Sequence, residues 1–480
     1  MSKLNFDNSY ARLPSHWYQS VSVTPLKNTH LISFNAPLAQ ALGLNPCEWA
    51  PSQLVETFTT EQGPEGAEPL AMKYTGHQFG VYNPDLGDGR GILLGEHLDP
   101  AGNRWDFHLK GAGKTAYSRF ADGKAVLRSS IREYLVSEAM FGLGIPTTRA
   151  LAIFGSEEFT LRNGAEPCAQ VLRVTPCHIR FGHFEYFYYS GQHEDLKQLA
   201  DYVIDRYYPD AKLTENPYLF MYQQVVERSA YLVAQWQSYG FVHAVMNTDN
   251  MSIIGETFDY GPFTFMDRYE PDHIANKNDD RGRYAFSNQP SIMQWNLAAL
   301  AQALIPLIDK SNLEAQLERF STLYFDAYYT KLSQRLALPN PGVTHKALID
   351  EMLALLEKQQ GDLNRFLLAL TDLEKGEALG AEVESPESFS DWLSRFYAVR
   401  HSEDEQLKSR LDYAKTLNPV YILRNYMCEE AIRDAHQGDY QRVNHLLAMV
   451  REPTKYYAPL ADYADAPPKW AEGIFLTCSS

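Results

Sequence analysis

GFVHAVMNTDNMSIIGETFDYG, residues Gly240 to Gly261, is the segment from which the architecture of the chain can be inferred. An apolar, helix-like segment precedes it. A polar turn follows from His243 to Asn250, and the apolar runs MSII and FTFM then stand on either side of the DYG tripeptide at 259–261. Short apolar runs separated by turn residues indicate strands. The segment therefore predicts a helix, a polar loop and a β-hairpin in succession.

This order of elements is typical of protein-kinase-like folds, which carry a catalytic loop H-R-D-L-x-x-x-N and then a D-F-G motif. When His243 is aligned with the template histidine, Asn250 lies at the position of the metal-binding asparagine, and Asp259 takes the place of the D-F-G aspartate. Val245 stands where kinases have the catalytic aspartate, and a valine cannot accept a proton from a hydroxyl. The pattern predicts metal ligands at Asn250 and Asp259 and makes Asp249 the nearest replacement for the base.

The rest of the chain changes character near residue 183. From Leu70 to Leu127, short apolar runs alternate with glycine-rich turns, which predicts strands, and Ser129 to Leu143 has helical spacing. After residue 183 most of the sequence has helical patterns. We therefore predict an α+β, bilobed protein-kinase-like fold. Residues 1–183 would form a β-rich N-lobe with the nucleotide-binding elements, and residues 184–480 a large helical C-lobe with the catalytic loop, the metal site and the C-terminal tail.

Composition limits the partners. The 480 residues include 43 Lys and Arg against 60 Asp and Glu, and the net charge of −17 argues against general binding of nucleic acid or anionic membranes. The five cysteines have no C-x-x-C spacing, so neither a zinc site nor a disulfide framework is expected. Met1 to Asn5 lack the apolar core of a signal peptide, and no apolar run approaches about 18 residues. These features predict a cytoplasmic protein.

Lys110 is the first candidate phosphate ligand. It ends the alternating run WDFHLK, and in kinase-like folds a strand lysine contacts phosphate and pairs with a helix glutamate. Glu133 is the candidate partner, with Glu138 as the second choice. An alternative for Glu133 is a capping box with Ser130, in which it only satisfies a helix N-terminus.

Glycines and arginines supply further candidates. The segment GDGRG at 87–91 lets backbone N–H groups approach a phosphate closely, although an ordinary hairpin turn explains the same residues. Arg173 and Arg180 lie in VLRVTPCHIRFG. Because Arg173 stands inside an apolar run, it needs an anionic partner, either a protein carboxylate or a phosphate.

Several long motifs resemble one family. GHQFGVYNPDLGDGRG, LKGAGKTAYSRFADGKAVLRSSIREYLVSEAM, HIRFGHFEYF, VMNTDNMSI, DYGPF and NDDRGRYAFSNQP resemble the selenoprotein O family, and the likeness covers essentially the whole chain. The resemblance implies a kinase-like enzyme that transfers AMP, in some members UMP, from ATP or UTP to protein hydroxyls with Mg²⁺ or Mn²⁺. Together with the kinase template, it predicts nucleotide contacts at Gly87, Gly89, Arg90, Lys110, Asp122, Gly123, Glu133, Arg173, Arg180 and Asp259. For Asp122 and Gly123, a simple turn is the alternative.

The missing kinase aspartate and the added arginines bear on the mechanism. Buried cations would hold the terminal phosphates deep in the cleft, so the α-phosphate would face the acceptor hydroxyl and pyrophosphate would leave. Asp249 would take the hydroxyl proton, although it could instead be a loop residue that caps its own backbone. Two other functions remain open: a γ-phosphotransferase with Asp249 as base, and a nucleotide-binding pseudokinase module.

The chain departs from the family pattern at one position that concerns its tail. Ala275 stands where many relatives carry a cysteine, and Cys478 lies where some carry selenocysteine. A bridge between these positions cannot form here, so we expect Cys478 to be free or to pair elsewhere.

Overall fold

Strands are concentrated in the first 175 residues, and most helices follow them. The computed structural model describes residues 3–162, 164–372, 379–380, 382–474 and 476–477. This α+β order, with the sheet first, is the predicted one. The strands are β1 (Tyr18–Ser20), β2 (His30–Phe34), β3 (Leu70–Met72), β4 (Gly76–Gln78), β5 (Val81–Asn83), β6 (Gly91–Leu98), β7 (Arg104–Lys110), β8 (Ala125–Val126), β9 (Arg149–Leu161), β10 (Ala165–Thr175), β11 (Phe241–Val242) and β12 (Thr264–Phe265). The α-helices are α1 (Ala36–Ala41), α2 (Pro51–Phe58), α3 (Leu127–Gly142), α4 (Phe181–Tyr189), α5 (His193–Tyr207), α6 (Pro217–Tyr239), α7 (Gln289–Leu304), α8 (Lys310–Glu318), α9 (Phe320–Arg335), α10 (Lys346–Lys358), α11 (Leu363–Asp372), α12 (Ser390–Arg400), α13 (Asp404–Leu417), α14 (Asn425–Ala435) and α15 (Gln441–Arg451).

The main sheet is antiparallel, in the order β1-β3-β6-β7-β10-β9-β2, with β8 beside β10. Successive side chains of a strand point to opposite faces. Phe107 and Leu109 of β7 are buried in an apolar core shared with α1 and α2. His108 and Lys110 therefore lie on the other face, and Arg173 of β10 joins them because it pairs in register with His108. The alternation thus gathers three cationic or titratable side chains on the face that meets α3.

Helix α3 carries Glu133 to that face. It begins at Leu127 and ends at Gly142, close to the predicted range from Ser129 to Leu143. Because the helix begins before Ser130, this serine lies inside the helix and is not its N-cap. The capping-box alternative for Glu133 is wrong, and its buried side chain is free to make tertiary contacts.

Two short strands, one on each side of the polar loop that follows α6, pair with each other. Strand β11 pairs with β12, with Phe241 opposite Phe265. The predicted hairpin between MSII and FTFM is therefore wrong, since FTFM pairs with residues that precede the loop, while Ser252 of MSII forms an isolated bridge with Arg180. A short apolar run indicates burial and does not identify the partner of the strand. The consequence is that both ends of the loop are held together next to the main sheet.

A second apolar cluster joins the helices after residue 180 to α3 and to one face of the main sheet. Within it, α6 packs against α7, α8 and α9. Among the described residues, no helix combines the length and the apolar character that crossing a bilayer requires.

The tail lies beside the loop that contains Ala275. The backbone N–H of Lys277 donates to the carbonyl of Leu476 at 2.9 Å. Cys478 lies outside the described residues, so the expectation for its thiol stays a prediction. Within them, the free cysteines are Cys47, Cys168, Cys177 and Cys428.

Candidate active site

A cavity of about 590 Å³ lies between the polar face of the main sheet and the loop after α6. Nearly all of the site residues predicted from the sequence line it. Glu133 is not part of the cavity lining, but it contacts two residues that are, Lys110 and Arg173. The predicted residues on the wall are Gly87, Gly89, Arg90, Lys110, Asp122, Gly123, Arg173, Arg180, Asp249, Asn250 and Asp259.

Two carboxylates organise the cations at the back of the cavity. Glu133 accepts hydrogen bonds from Lys110 Nζ and from Arg173, whose Nε and Nη2 lie 3.0 and 2.6 Å from Oε1. Asp259 accepts from Arg173 Nη2 at 2.7 Å and from Arg180 Nη1, and Lys110 Nζ lies 3.8 Å from its Oδ1. Burial alone would raise the pKa of Asp259, but the three cations hold it well below its usual value. Both carboxylates are therefore ionised at neutral pH.

Asp88 is a third carboxylate of this cluster, which the sequence reasoning missed. It is buried, lies 3.7 Å from Arg180, and accepts hydrogen bonds from the backbone of Met72 and from the hydroxyl of Tyr74. Its burial opposes ionisation, yet His108 and Arg180 lower its pKa to about 2. In the sequence, the position of Asp88 between two glycines of GDGRG could have indicated its role in the site. Lys110, Arg173 and Arg180 are thus balanced in charge by Glu133, Asp259 and Asp88.

Arg173 keeps one unused donor in this balanced cluster. Its Nη1 is buried and has no hydrogen-bond partner in the part of the chain that the structure describes. A buried donor without an acceptor is costly, and such a group usually indicates a missing ligand or water. Arg90, at the mouth of the same cavity, is exposed, and no hydrogen bond or ion pair of its guanidinium is recorded among the described residues. Nη1 of Arg173 and the guanidinium of Arg90 could therefore each donate to an anion without losing an existing bond.

The glycine turns have a packing role in this structure. Gly87 adopts a φ of 142°, and a Cβ there would lie 2.5 Å from Cγ of Tyr117. Ser118 donates to the carbonyl of Gly89, so the segment after β7 rests directly on the turn. Asp122 forms a salt bridge with Arg162 at 2.8 Å. The turns thus shape the cavity mouth whether or not they contact a phosphate.

Asp249 faces the cavity from a single 3₁₀ turn, Thr248–Asn250. Its side chain is 7% exposed, and Oδ1 has no hydrogen-bond partner within the described ranges. Gln78 Nε2 lies 3.4 Å from Oδ2. Burial raises the pKa of Asp249 to about 7, in the range suited to accepting a proton at neutral pH.

Asn250 and Asp259 offer the kind of ligands that Mg²⁺ prefers. Asn250 Nδ2 donates to the carbonyl of Val245 at 3.0 Å, which assigns the donor end of the amide and leaves Oδ1 as the atom able to bind a cation. A carboxylate and an amide oxygen fit Mg²⁺, which usually completes its shell with water and substrate phosphates. Within the described residues, no group of three or more His, Cys, Asp or Glu side chains is arranged to hold a metal. The two oxygens therefore fit a metal whose remaining ligands come from water and a bound nucleotide.

A buried network holds the Asp249 turn in place, and the sequence reasoning missed it as well. Glu185 of α4 accepts hydrogen bonds from Thr248 Oγ1 at 2.9 Å and is paired with His77 Nδ1 at 3.1 Å. The backbone N–H of His77 donates in turn to Thr248 Oγ1 at 2.7 Å. In the sequence, Glu185 as the single carboxylate in the apolar run HFEYF could have indicated a buried polar contact. This network joins β4, α4 and the loop after α6 at the site.

His243 has a structural role. It is fully buried, its Nε2 lies 3.1 Å from the carbonyl of Phe258, and burial lowers its pKa to about 4, so it is neutral at pH 7. It links the start of the loop to the residue before Asp259.

Comparisons with known proteins agree on one family. A family model described as "Protein adenylyltransferase SelO" matches residues 1–451. A protein of Hahella chejuensis named protein nucleotidyltransferase YdiU is 57% identical over 486 residues, which cover 100% of this chain and 99% of that protein. Proteins of the same name from Aliivibrio salmonicida and Pseudomonas aeruginosa are 46% and 45% identical, with the same coverage of both chains. All residues of the cavity wall fall inside the matched region.

Proposed function

The chain belongs to the protein adenylyltransferase SelO family, and on that premise we propose that it transfers AMP from ATP, or UMP from UTP, to hydroxyl side chains of proteins. It is a protein nucleotidyltransferase by family. The observation that carries the finer proposal is the arrangement around the cavity. On one wall Oδ1 of Asp249, and on another Nη1 of Arg173, has no hydrogen-bond partner among the residues that the structure describes.

We propose a kinase-like architecture with a cleft between residues 1–183 and 184–480. Two observations support it. The pair between Lys110 of β7 and Glu133 of α3 corresponds to the strand lysine and helix glutamate of kinases. The cavity is lined on one side by residues of the main sheet and its turns, and on the other by the loop between β11 and β12.

The nucleotide would lie with its β- and γ-phosphates against the buried cations. Lys110, Arg173 and Arg180 are already neutralised by carboxylates, so the charge of a triphosphate has to be offset by further positive groups. Arg90 supplies one, Arg173 Nη1 supplies a free donor, and a metal supplies the rest. In this orientation the α-phosphate is the one nearest to Asp249.

The metal would be held by Asn250 Oδ1 and the carboxylate of Asp259. For this, Arg173 and Arg180 exchange part of their bonds to Asp259 for phosphate oxygens. When bound, Mg²⁺ or Mn²⁺ neutralises charge on the phosphates and orients them.

The oxygen of a Ser, Thr or Tyr hydroxyl attacks the α-phosphorus and forms a new O–P bond. The bond from the α-phosphorus to the bridging oxygen breaks, and pyrophosphate leaves with that electron pair. The hydroxyl proton moves to Asp249; the burial of this carboxylate and its pKa of about 7 support the role.

ATP labelled at one chosen phosphate tests the proposal. Acceptor protein is incubated with the enzyme and ATP labelled at either the α- or the γ-phosphate. We expect the α-label to be retained on protein and the γ-label to appear in pyrophosphate. Asp259→Ala should abolish transfer, and Asp465→Ala, which removes an exposed carboxylate elsewhere, should not. Retention of the γ-label would establish the phosphotransferase alternative, and tight ATP binding without transfer would establish the pseudokinase alternative.

A further inference from the structure

An exposed apolar surface adjoins Asp249, and no part of the proposed transfer step uses it. We call it the aromatic rim and define it by Phe79, Val81, Tyr82, Tyr189 and Trp295. Phe79, Val81, Tyr189 and Trp295 are 40%, 71%, 44% and 37% exposed. Single exposed apolar side chains are ordinary, whereas contiguous ones mark interaction surfaces.

Tyr82, Tyr189 and Trp295 form one surface because their rings meet around His77, and Phe79 and Val81 adjoin it through the β4–β5 hairpin. The His77 ring lies 5.3 Å from both Tyr82 and Trp295, and Tyr82 lies 4.3 Å from Tyr189. These residues come from β4, β5, α4 and α7, so the patch is a product of the tertiary structure.

The rim is also held rigidly. His77 is bound to Glu185 and to Thr248, as described above. The backbone N–H of Phe79 donates to the hydroxyl of Tyr284 at 2.9 Å, and Phe79 is held at a φ of 50°, a conformation that costs energy for a bulky residue. A rigid aromatic surface binds a partner with little loss of side-chain entropy.

The position of the rim beside Asp249 indicates that its partner is the acceptor protein. Gln78 and Phe79, at the tip of the β4–β5 hairpin, line the cavity, and Gln78 lies against Asp249. The hairpin therefore lies next to the position that the acceptor hydroxyl has to reach. A second exposed patch, at Phe120 and Phe159, lies instead beside Asp122 at the glycine-turn end of the cavity, away from the base.

Charge adds a second criterion. The guanidinium of Arg283 lies 4.8 Å from the ring centre of Trp295, and its Nε is buried without a hydrogen-bond partner in the described part of the chain. No ion pair between Arg283 and a carboxylate is recorded there. In a protein with a net charge of −17, this guanidinium is a local positive charge able to pair with an acidic side chain.

We propose that the aromatic rim binds an extended segment of the acceptor protein during transfer. An apolar or aromatic side chain close to the modified hydroxyl packs against Tyr189 and Trp295, and an acidic side chain pairs with Arg283. The inference rests on the proposed function, since it names how that same site selects its protein substrate.

The test uses a library of short peptides with a fixed central serine and randomised flanks, and ATP labelled at the α-phosphate. The wild-type enzyme should prefer peptides with apolar and acidic flanking residues. Trp295→Ala should raise the KM for a selected peptide about tenfold, the loss expected for an aromatic contact residue, with the KM for ATP unchanged. Trp295→Phe should restore most of the loss. Arg283→Glu should change the preference from acidic to basic flanking residues, which a loss of folding cannot do.

A control and an independent binding assay complete the experiment. Phe325→Ala removes an exposed ring on α9, far from the rim in sequence, and should leave the peptide KM unchanged. Peptides that carry a photo-crosslinking phenylalanine analogue are also irradiated with the enzyme and α,β-methylene-ATP, and crosslinks should map to residues 76–83, Tyr189 or Trp295. An unchanged peptide KM in Trp295→Ala together with an unchanged flank preference in Arg283→Glu, or crosslinks at Phe120 and Phe159, would overturn the inference. If the wild type labels no peptide, the proposed transfer fails, while the crosslinks still decide whether the rim binds peptide.

Discussion

Ala244 occupies a backbone conformation that favours glycine. Its φ is 67°, and it lies fully buried between His243 and the cavity-lining Val245. The left-handed region costs an alanine roughly 1 kcal/mol relative to glycine. Ala244→Gly should therefore increase the free energy of unfolding by up to about 1 kcal/mol, an upper value because glycine also gains entropy in the unfolded chain. Urea unfolding of both proteins measures this, and a clear loss of stability would show that the methyl group of Ala244 is required for packing.

Asp106 of β7 gives a pH-dependent prediction. It is buried, its Oδ1 has no hydrogen-bond partner in the described region, and burial raises its pKa to about 6 even though Arg206 lies 3.8 Å away. Because the folded pKa is above the unfolded value of about 3.9, its contribution to stability is present below about pH 4 and is lost as the pH rises through 6. Asp106→Asn does not titrate, so between pH 4 and 7 it should gain about 2 kcal/mol relative to the wild type.

Unfolding by urea at several pH values checks this difference. Asp465→Asn, at an exposed position, should follow the wild type at every pH. Parallel curves for Asp106→Asn and the wild type would mean that Asp106 titrates near its ordinary pKa in the folded protein.

At the scale of elements, α3 carries two buried glutamates with different tasks. Glu133 pairs with Lys110 and Arg173 at the cavity, and Glu138 binds Arg149 through Nε and Nη2 at 2.5 and 2.7 Å on the side away from it. Removing one partner of a buried ion pair costs about 3 kcal/mol. Glu133→Gln and Glu138→Gln should therefore lose similar stability, whereas only Glu133→Gln should abolish AMP transfer at a temperature where both are folded. Equal activity in the two variants would remove Glu133 from the site.

At the scale of the molecule, the proposed ligands come from both sides of the cavity. ATP with Mg²⁺ would contact Lys110 and Arg173 of the sheet together with Asn250 and Asp259 of the loop. A ligand that binds only the folded state at about 100 times its Kd should raise the free energy of unfolding by about 2.7 kcal/mol. Thermal unfolding should show this increase with ATP and Mg²⁺ together, and Asp259→Ala should lose the metal-dependent part. An identical shift with ATP alone would contradict the assignment of the metal ligands.

Local patterns in the chain predict part of the fold and part of the candidate site. Period-two alternation in WDFHLK puts Lys110 opposite the apolar face, helical spacing locates α3, and the interval from His243 to Asn250 identifies the loop. These features depend on residues that are near neighbours in sequence, so they can be recognised without a structure. The pairing of β11 with β12, the contacts of Arg173 and Arg180 with Asp259, the participation of Asp88 and the aromatic rim depend on segments far apart in the chain. Arg173 and Asp259 are 86 positions apart, and only the packing of the sheet against the loop determines which carboxylate each buried cation meets, because several would satisfy its charge equally well.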